Sequence, residues 1–320
     1  MPLVKSNHHP PLLFRNGHFS TIYSARLRPT PMLLQERERI SLPDGDFIDV
    51  DWSLSAKETK KVAILLHGLE GNAQRVYMKG QGKTLVEGGW DVAAMNHRGC
   101  SGEDNELYLS YNSGRTNDLE TLISIILKKN KYDEISLIGF SLGGNLVLKY
   151  LGERQTIPKE IKKGIAISSP LKLKGSLEAL IKAENWIYSY TFVRNLKMKY
   201  KRKMSRFPEK MNLKEYQKIK TLLDFDNLYT APAHGFKDAY DYYEKSSSLQ
   251  FLANIKAQVL ILNAKNDSFL SKDCYPISLA EQSKNIYLET PKHGGHVGFH
   301  KSNKTHYSET RALEFLNSNL

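Results

Sequence analysis

A serine set among glycines is the residue in this sequence best placed to do chemistry. Residues 139–144 read GFSLGG, and Ser141 stands between an apolar run and a stretch typical of a helix. A sharp strand-to-helix turn requires small flanking residues, and it lifts its serine out at the carboxyl edge of a sheet. We predict from this context that Ser141 is a nucleophile. The alternative is an ordinary strand–helix turn in which the serine is incidental.

A serine becomes a good nucleophile only when a base takes its proton and a third group orients that base. With this kind of turn, the order along the chain is serine, acid, histidine. Asp267 follows an apolar run, at a predicted strand end where ligands bind in open sheets, and is preferred over Asp273 and Glu289. His296 directly follows two glycines in a loop, and is preferred over His293 as the base.

Two backbone N–H groups are candidates for binding the negative oxygen that forms during attack on a carbonyl. The N–H of Leu142 directly follows the serine. The second donor in such sites comes from the turn after an earlier strand, which here reads HGLEGN over residues 67–72. We predict Leu69 as this donor, with Gly68 giving the turn its freedom. The alternative for this turn is a plain strand end.

Two further patterns resemble ligand sites but lack required parts. His293, His296 and His300 could supply three imidazoles, but glycines separate them and no acidic residue lies in their loop. The sequence KGQGKT at residues 79–84 ends like a phosphate-binding loop, but Tyr77 stands where that loop requires glycine. We therefore expect no metal, no nucleotide and no other cofactor.

Six short apolar runs alternate with helical stretches along the chain. They cover residues 62–67, 92–96, 135–140, 164–168, 259–263 and 286–289. Runs of this kind are typical of strands covered on both faces, and the alternation predicts an α/β fold with a mostly parallel, doubly wound sheet. Before them, LPDGD within residues 39–53 predicts an antiparallel hairpin that opens the sheet.

About ninety residues separate the fourth run from the fifth, which is too long for a structureless loop in a compact domain. We predict one domain spanning residues 1–320, with a helical cap inserted over residues 171–250. The insertion contains an aromatic cluster of Trp186, Tyr188, Tyr190 and Phe192. We expect one or two of the last three to face the site and the rest to pack internally; the alternative is that all belong to a core.

The positive charge is concentrated in one segment. The chain has 320 residues and a formal net charge of +12. Residues 192–220 hold eleven basic and two acidic residues, a local charge of +9. This segment is interpreted either as a solvated helix face or as a patch, with Lys199, Lys201, Arg202 and Lys203, that could meet anionic head groups. No zinc-finger, RNP or helix-turn-helix signature accompanies it, so we expect no nucleic-acid partner.

Composition narrows the class of protein further. Two cysteines exclude a disulfide framework. The longest nearly apolar runs have about ten residues, whereas a membrane span needs ~20. The first eleven residues contain no sustained apolar stretch of the kind a secretory signal requires. These features predict a cytoplasmic protein.

Several longer motifs together resemble the YheT-like branch of the α/β-hydrolase superfamily, with yeast medium-chain acyl ester synthase/esterases and animal abhydrolase-domain phospholipases. The motifs are RNGHFSTI (15–22), HGLEGN (67–72), NHRGCSGE (96–103), GFSLGGN (139–145), SSPLKLKGS (168–176), DFDNLYTAPAHGF (224–236), DYY (241–243) and GGHVGF (294–299). One departure is the loop KNDSF at 265–269, where the family commonly has two acids followed by proline. Another is SSPLKLKG, with lysine where an aspartate is usual.

The resemblance implies an α/β-hydrolase fold with Ser141 as nucleophile, Asp267 as acid and His296 as base. We expect a serine hydrolase acting on a small-molecule carboxylic ester with a short- to medium-chain acyl group, without a cofactor. Acyl transfer to an alcohol would use the same residues, and a non-catalytic lipid-binding protein is an alternative of another class. The sequence does not separate hydrolysis from acyl transfer.

Overall fold

Nine strands form one sheet in a computed structural model, which describes residues 3–301 and 305–318. The strands are β1 (Leu3–Val4), β2 (Glu36–Ser41), β3 (Phe47–Ser53), β4 (Lys61–Leu66), β5 (Asp91–Asn96), β6 (Glu134–Phe140), β7 (Ile161–Ile167), β8 (Gln258–Leu262) and β9 (Ile286–Glu289). Their order in the sheet is β1-β9-β8-β7-β6-β4-β5-β3-β2.

The pairing confirms the predicted fold class. All six apolar runs are strands, β4 to β9, and they pair in parallel. β2 and β3 form the predicted antiparallel hairpin, and β3 joins it to β5, also antiparallel. β1 was not predicted, because two residues paired beside β9 are too short to show a periodicity.

Twelve α-helices accompany the strands in the described parts of the chain. They are α1 (Gly17–Ile22), α2 (Val76–Glu87), α3 (Asn117–Lys128), α4 (Leu142–Glu153), α5 (Leu173–Leu180), α6 (Trp186–Arg206), α7 (Leu213–Lys218), α8 (Leu222–Phe225), α9 (Ala231–Ala233), α10 (Ala239–Ser246), α11 (Ile277–Gln282) and α12 (Tyr307–Asn317). α3 begins directly after Thr116. No described helix is long and apolar enough to cross a membrane.

Both faces of the sheet are buried. Along β4, Val62, Ile64 and Leu66 belong to one apolar cluster, while the alternating Ala63 and Leu65 belong to another. Successive side chains of a strand point to opposite faces, so each cluster fills one side of the sheet. This burial explains why the strand sequences are nearly continuous in apolar residues.

Helices α5 to α10 lie between β7 and β8, within the stretch expected to form a cap. They bury a third apolar cluster, with Leu173 near its beginning and Tyr243 near its end. Leu69, from the turn after β4, packs against this cluster as well as against the sheet. The inserted helices therefore cover the loop in which we expect an oxyanion donor.

Candidate active site

Ser141 occupies a strained turn between β6 and α4. Its φ of 53° and ψ of −121° lie outside the regions that a non-glycine residue prefers. A Cβ at Gly139 would lie 2.1 Å from the carbonyl oxygen of Gly143, and one at Gly143 would lie 2.4 Å from that of Leu66. Only glycine permits these approaches, as the sequence predicts for a nucleophile turn.

An acid–base pair lies on the two loops that follow β8 and β9. The Nδ1 of His296 is 2.9 Å from Oδ2 of Asp267. The other carboxylate oxygen accepts a hydrogen bond from the N–H of Phe269, at 3.0 Å, and the Phe269 ring stacks on the imidazole at 4.2 Å. Since Nδ1 is directed at the carboxylate, Nε2 is the nitrogen left to act on another group.

One cavity brings the predicted residues together. Ser141, Leu142, Leu69 and His296 all line it. These residues come from the carboxyl ends of β4, β6 and β9, and the carboxyl ends of parallel strands meet at one edge of a sheet. Asp267 reaches this group through its hydrogen bond to His296.

The competing acids lie elsewhere in the structure. Asp273 is exposed on the loop before α11. Glu289 is buried at the end of β9, where its Oε2 lies 2.7 Å from Nε of Arg311 and it also accepts a hydrogen bond from Tyr307. Neither has a hydrogen bond to His296 in the described residues.

The three histidines of the loop after β9 contact three different groups. While His296 contacts the carboxylate, the Nδ1 of His293 lies 3.0 Å from the carbonyl oxygen of Arg15. His300 stacks on the ring of Phe14, with 3.5 Å between the ring centroids. Among residues 3–301 and 305–318, no group of three potential metal ligands comes together.

The turn after β4 presents one N–H group between two that are already bonded. The N–H of Gly68 donates to the hydroxyl of Tyr77 at 3.1 Å, and that of Glu70 donates to the hydroxyl of Tyr111 at 2.8 Å. Within the described chain the N–H of Leu69 has no hydrogen-bond partner. Leu142 is the first residue of α4, and N–H groups in a first helical turn have no partner within the helix.

A buried ion pair, which the sequence analysis missed, fixes the same turn. Glu70 has a φ of 51°, and its Oε1 lies 2.8 Å from Nζ of Lys199 on α6. The Tyr111 hydroxyl donates to the same oxygen at 2.7 Å. Burial acts to lower the pKa of Lys199, but Cys100 and Glu70 beside it raise that pKa overall. The cation therefore ties the inserted helix to the residue next to Leu69.

Two of the four bases named for the expected basic patch are not at the surface. Lys199 and Lys203 are buried, and Nζ of Lys203 donates to the carbonyl oxygens of residues 107 and 108. Arg202 is exposed but pairs with Asp104, with 2.9 Å between Nε and Oδ2. A charge run in a sequence does not reveal which bases have acceptors in distant loops. Of the four named bases, only Lys201 is exposed with no ion pair in the described chain.

The aromatic cluster divides between the site and the surface. Phe192 lines the cavity, and Tyr188 packs edge-on against Phe269, the ring that stacks on the imidazole. Tyr190 and Trp186 instead point outward, with 64% and 65% of their surface exposed. The two predicted arrangements each placed Tyr190 inside, so both are wrong for this residue.

The N-terminal segment around α1 holds the acid and histidine loops together. The amide of Asn266 donates to the carbonyl oxygen of Arg15 at 2.9 Å and accepts from the N–H of Gly295 at 3.0 Å. Thr21 accepts from the N–H of His296 at 2.8 Å. Asn266 belongs to the loop at 265–269 that departs from the family pattern, and its two hydrogen bonds fix that loop against Arg15 and Gly295. The motif at residues 15–22 was the only sequence signal for these contacts.

The cavity wall also contains a buried carboxyl group. Asp226 lines it, and its Oδ2 accepts a hydrogen bond from the Tyr243 hydroxyl at 2.6 Å. Burial raises the pKa of this carboxyl to about 6. Many of the other lining side chains are apolar, with Leu177 and Leu196 among them. The cavity that Ser141 lines therefore offers apolar surface to a bound chain.

Comparison with known proteins agrees with this arrangement. Residues 62–302 match the family model of the alpha/beta hydrolase fold. YheT of Escherichia coli, which is provisionally named an esterase, is 31% identical over 293 residues, covering 89% of this chain and 85% of that protein. The bovine phospholipase ABHD3 is 27% identical over 307 residues, covering 93% of this chain and 74% of that protein.

The solved structure of the Pyrococcus furiosus esterase Pf2001 shows the same fold. It superposes with a TM-score of 0.60 at 17% sequence identity, over 90% of this chain and 96% of that one. At this identity the likeness concerns the fold alone. The family model covers three quarters of the chain, and this chain therefore belongs to the α/β-hydrolase fold family, in the branch that contains YheT.

Proposed function

We propose that this chain hydrolyses carboxylic esters through an acyl-enzyme on Ser141. Its relatives indicate an ester hydrolase, because one is named an esterase and another a phospholipase. The observation that carries the proposal is the contact between His296 and Asp267 beside a serine that lines the same cavity in a strained turn. These are the parts that serine-based acyl transfer requires.

Each step assigns a role to one of these groups. Nε2 of His296 takes the hydroxyl proton of Ser141 as Oγ attacks the ester carbonyl, and then gives it to the leaving alkoxide. Asp267 holds the Nδ1–H tautomer and stabilises the imidazolium that forms. Water then attacks the acyl-enzyme, with His296 again acting as base, and the carboxylic acid leaves.

The oxyanion is assigned to the N–H groups of Leu69 and Leu142. Removing one such donor costs ~3 kcal/mol of transition-state stabilisation in comparable enzymes. The pair of Lys199 and Glu70 acts on this site indirectly, because it fixes the residue next to Leu69. We assign Lys199 as a positioning residue, since it holds the turn without contacting the reacting atoms.

The acyl group is assigned to the apolar part of the cavity. The inserted helices supply Leu177, Phe192 and Leu196 to its wall. Burying a methylene group contributes about 0.8 kcal/mol, so each added carbon should lower KM until the apolar part of the cavity is filled. A short- to medium-chain acyl group fits this arrangement best.

A series of p-nitrophenyl esters from acetate to palmitate tests the proposal. We expect kcat/KM to rise with chain length and then fall, and we expect Ser141→Ala to abolish turnover at every length. Ser136→Ala is the matched control, because this buried serine lies in β6, the strand that leads to Ser141, but outside the cavity. Equal activity of the wild type and Ser141→Ala would contradict the proposal.

Adding a short alcohol to the same assay separates two reactions. Hydrolysis yields the free acid, whereas acyl transfer yields the ester of the added alcohol. We expect the acid as the main product.

A further inference from the structure

Helix α6 carries apolar residues on both of its sides. The side that packs inward is buried and consists of Val193, Leu196, Lys199, Tyr200 and Lys203. The opposite side is exposed and consists of Ile187, Tyr190, Arg194, Met198 and Lys201. Steps of three and four residues connect the members of the exposed side, so they form one stripe along the helix. A helix that faced only water would carry polar residues there.

The apolar residues of this stripe continue into the turn before the helix. Exposed fractions are 57% for Ile181, 65% for Trp186, 51% for Ile187, 64% for Tyr190 and 46% for Met198. Ile181, Trp186, Tyr190 and Met198 line one shallow groove together with Arg194. We call these residues, with Lys182, Ile187 and Lys201, which are also exposed, the outer face of α6. Contiguous exposed apolar residues of this kind mark interaction sites.

The charge around the outer face is predominantly positive. Helix α6 holds seven basic and no acidic residues. Lys199, Arg202 and Arg206 have ion pairs, while Lys197 and Lys203 donate to backbone carbonyls. Arg194 and Lys201 have no ion pair in the described chain. Lys182 is also exposed, beside Glu184, the one acid in residues 181–206.

We propose that the outer face of α6 binds the surface of a lipid bilayer that contains anionic lipid. Tryptophan and tyrosine prefer the boundary between hydrocarbon and water, and helices with such a face and basic residues lie in that boundary. Free bases complement anionic head groups. A protein partner with acidic and apolar groups would share this chemistry only in part, because the exposed residues are chiefly aromatic and aliphatic.

The same helix connects this surface to the candidate active site. Phe192 lines the cavity and Tyr188 contacts Phe269 beside the imidazole, while Tyr190 between them points outward. A bilayer on the outer face would therefore lie one helix away from the cavity. The inference deepens the proposed ester hydrolysis, because it names the bilayer as the phase that supplies the substrate.

Co-sedimentation with vesicles tests the proposal without relying on turnover. The assay uses the full chain carrying Ser141→Ala, with vesicles of phosphatidylcholine alone or with one third phosphatidylserine. We expect binding to the anionic vesicles at low salt and release as salt rises. Failure of this binding leaves the esterase assay unaffected, so the two proposals can fail separately.

Two variants of the outer face give the sharper test. Trp186→Ser with Tyr190→Ser removes aromatic contacts, and Lys182→Gln with Arg194→Gln and Lys201→Gln removes charge. Each should weaken binding to anionic vesicles more than tenfold, since one base near such a surface contributes about fivefold. Both variants should keep the wild-type Tm. When made in the chain that retains Ser141, both should also keep the wild-type turnover of p-nitrophenyl acetate.

Matched controls lie at the opposite edge of the sheet. Exposed lysines lie before three strands: Lys60 directly precedes β4, and Lys159 and Lys284 lie two residues before β7 and β9. Changing all three to Gln removes equal charge at the far edge. Leu54→Ser removes an exposed apolar side chain after β3. Neither control should change vesicle binding by more than twofold.

Four results would overturn the proposal. One is absence of binding to anionic vesicles at low salt, and another is equal binding to neutral vesicles. The third is a loss of binding in the control triple variant as large as that in the outer-face variants. Self-association in the absence of lipid that disappears with Trp186→Ser and Tyr190→Ser would assign this face to a protein contact instead.

Discussion

The imidazole of His296 is held from three directions. Asp267 contacts Nδ1, Phe269 stacks on the ring, and the hydroxyl of Thr21 accepts from the backbone N–H. Such contacts fix both the tautomer and the direction in which Nε2 points. In the proposed mechanism, a base positioned in this way needs no reorganisation before it accepts the serine proton.

Replacing His296 by alanine should lower kcat by several orders of magnitude, because removal of a triad base does so in serine hydrolases. His293→Ala is the matched control from the same loop, and we expect it to change kcat less than tenfold. Its imidazole contacts the carbonyl oxygen of Arg15. Steady-state kinetics with a p-nitrophenyl ester measures both, and the reverse ranking would assign the base to His293.

Asp267→Asn should reduce kcat about 10⁴-fold, because an amide no longer favours the Nδ1–H tautomer. The change keeps an oxygen that can accept from the N–H of Phe269, so the Tm should move little. Asp273→Asn, which removes an exposed carboxylate from the next turn, should leave kcat unchanged. Comparable losses in the two variants would argue against Asp267 as the orienting acid.

The sequence allowed Ser141, Asp267 and His296 to be chosen because each follows a recognisable strand. Residues after parallel strands gather at one edge, so their proximity could be expected. The contacts of Thr21 and Asn266 could not be derived in this way. They join residues that lie more than two hundred and fifty positions apart, and no local pattern encodes such a distance.

At the scale of elements, the observed strand bounds differ most from the predicted ones where a charged residue lies within a strand. β7 begins at Ile161, three residues before the predicted run, because Lys162 and Lys163 interrupt the apolar pattern. Lys163 is buried, and its Nζ donates to the carbonyl oxygens of Phe315 and Leu316 at the end of α12. A lysine that satisfies its charge on a helix end remains compatible with a buried strand.

Lys199→Met tests the coupling between α6 and the oxyanion turn. Unpairing Glu70 in the interior should lower stability by about 3 kcal/mol or more. If the pair also positions Leu69, kcat should fall at least tenfold at a temperature where the variant is fully folded, while KM changes little. A trifluoromethyl ketone, which mimics the tetrahedral adduct, should bind correspondingly more weakly.

Two further variants separate positioning from stability. Lys199→Arg keeps a cation and should recover part of kcat. Lys201→Met removes the neighbouring exposed base and should leave both kcat and Tm near their wild-type values. A folded Lys199→Met protein with wild-type kcat would contradict the positioning role.

At the scale of the whole molecule, several bases of the positively charged segment contact other parts of the chain. Arg202 and Arg206 on α6 reach Asp104 and Glu106 in the loop after β5. Part of the segment that stands out in the sequence therefore attaches the inserted helices to the body. Net charge along a sequence could not reveal this, since it counts bases without their acceptors.

The stability of the molecule should depend on pH through Asp226. The folded-state pKa of about 6 lies above the ordinary value of 3.8, because the carboxyl is buried. Between these pH values the folded chain holds a proton that the unfolded chain has lost, so stability falls as pH rises toward 6 and then levels. Asp226→Asn removes this titration and can still accept from Tyr243.

Urea unfolding at pH 4.5 and pH 7.5 measures this effect. The free energy of unfolding of Asp226→Asn minus that of the wild type should be larger at pH 7.5 than at pH 4.5, because only the wild type loses stability between these pH values. A difference that is the same at both pH values would show that this carboxyl does not titrate differently in the folded and unfolded chains.

The central claim is that Ser141 becomes acylated, and labelling with a fluorophosphonate tests it most directly. Mass spectrometry of the intact protein and of its peptides should find one adduct per chain, on Ser141. The labelling should disappear in Ser141→Ala, become much slower in His296→Ala and proceed normally in Ser136→Ala. An adduct on a different residue, or esterase turnover that persists in an unlabelled Ser141→Ala protein, would contradict the claim.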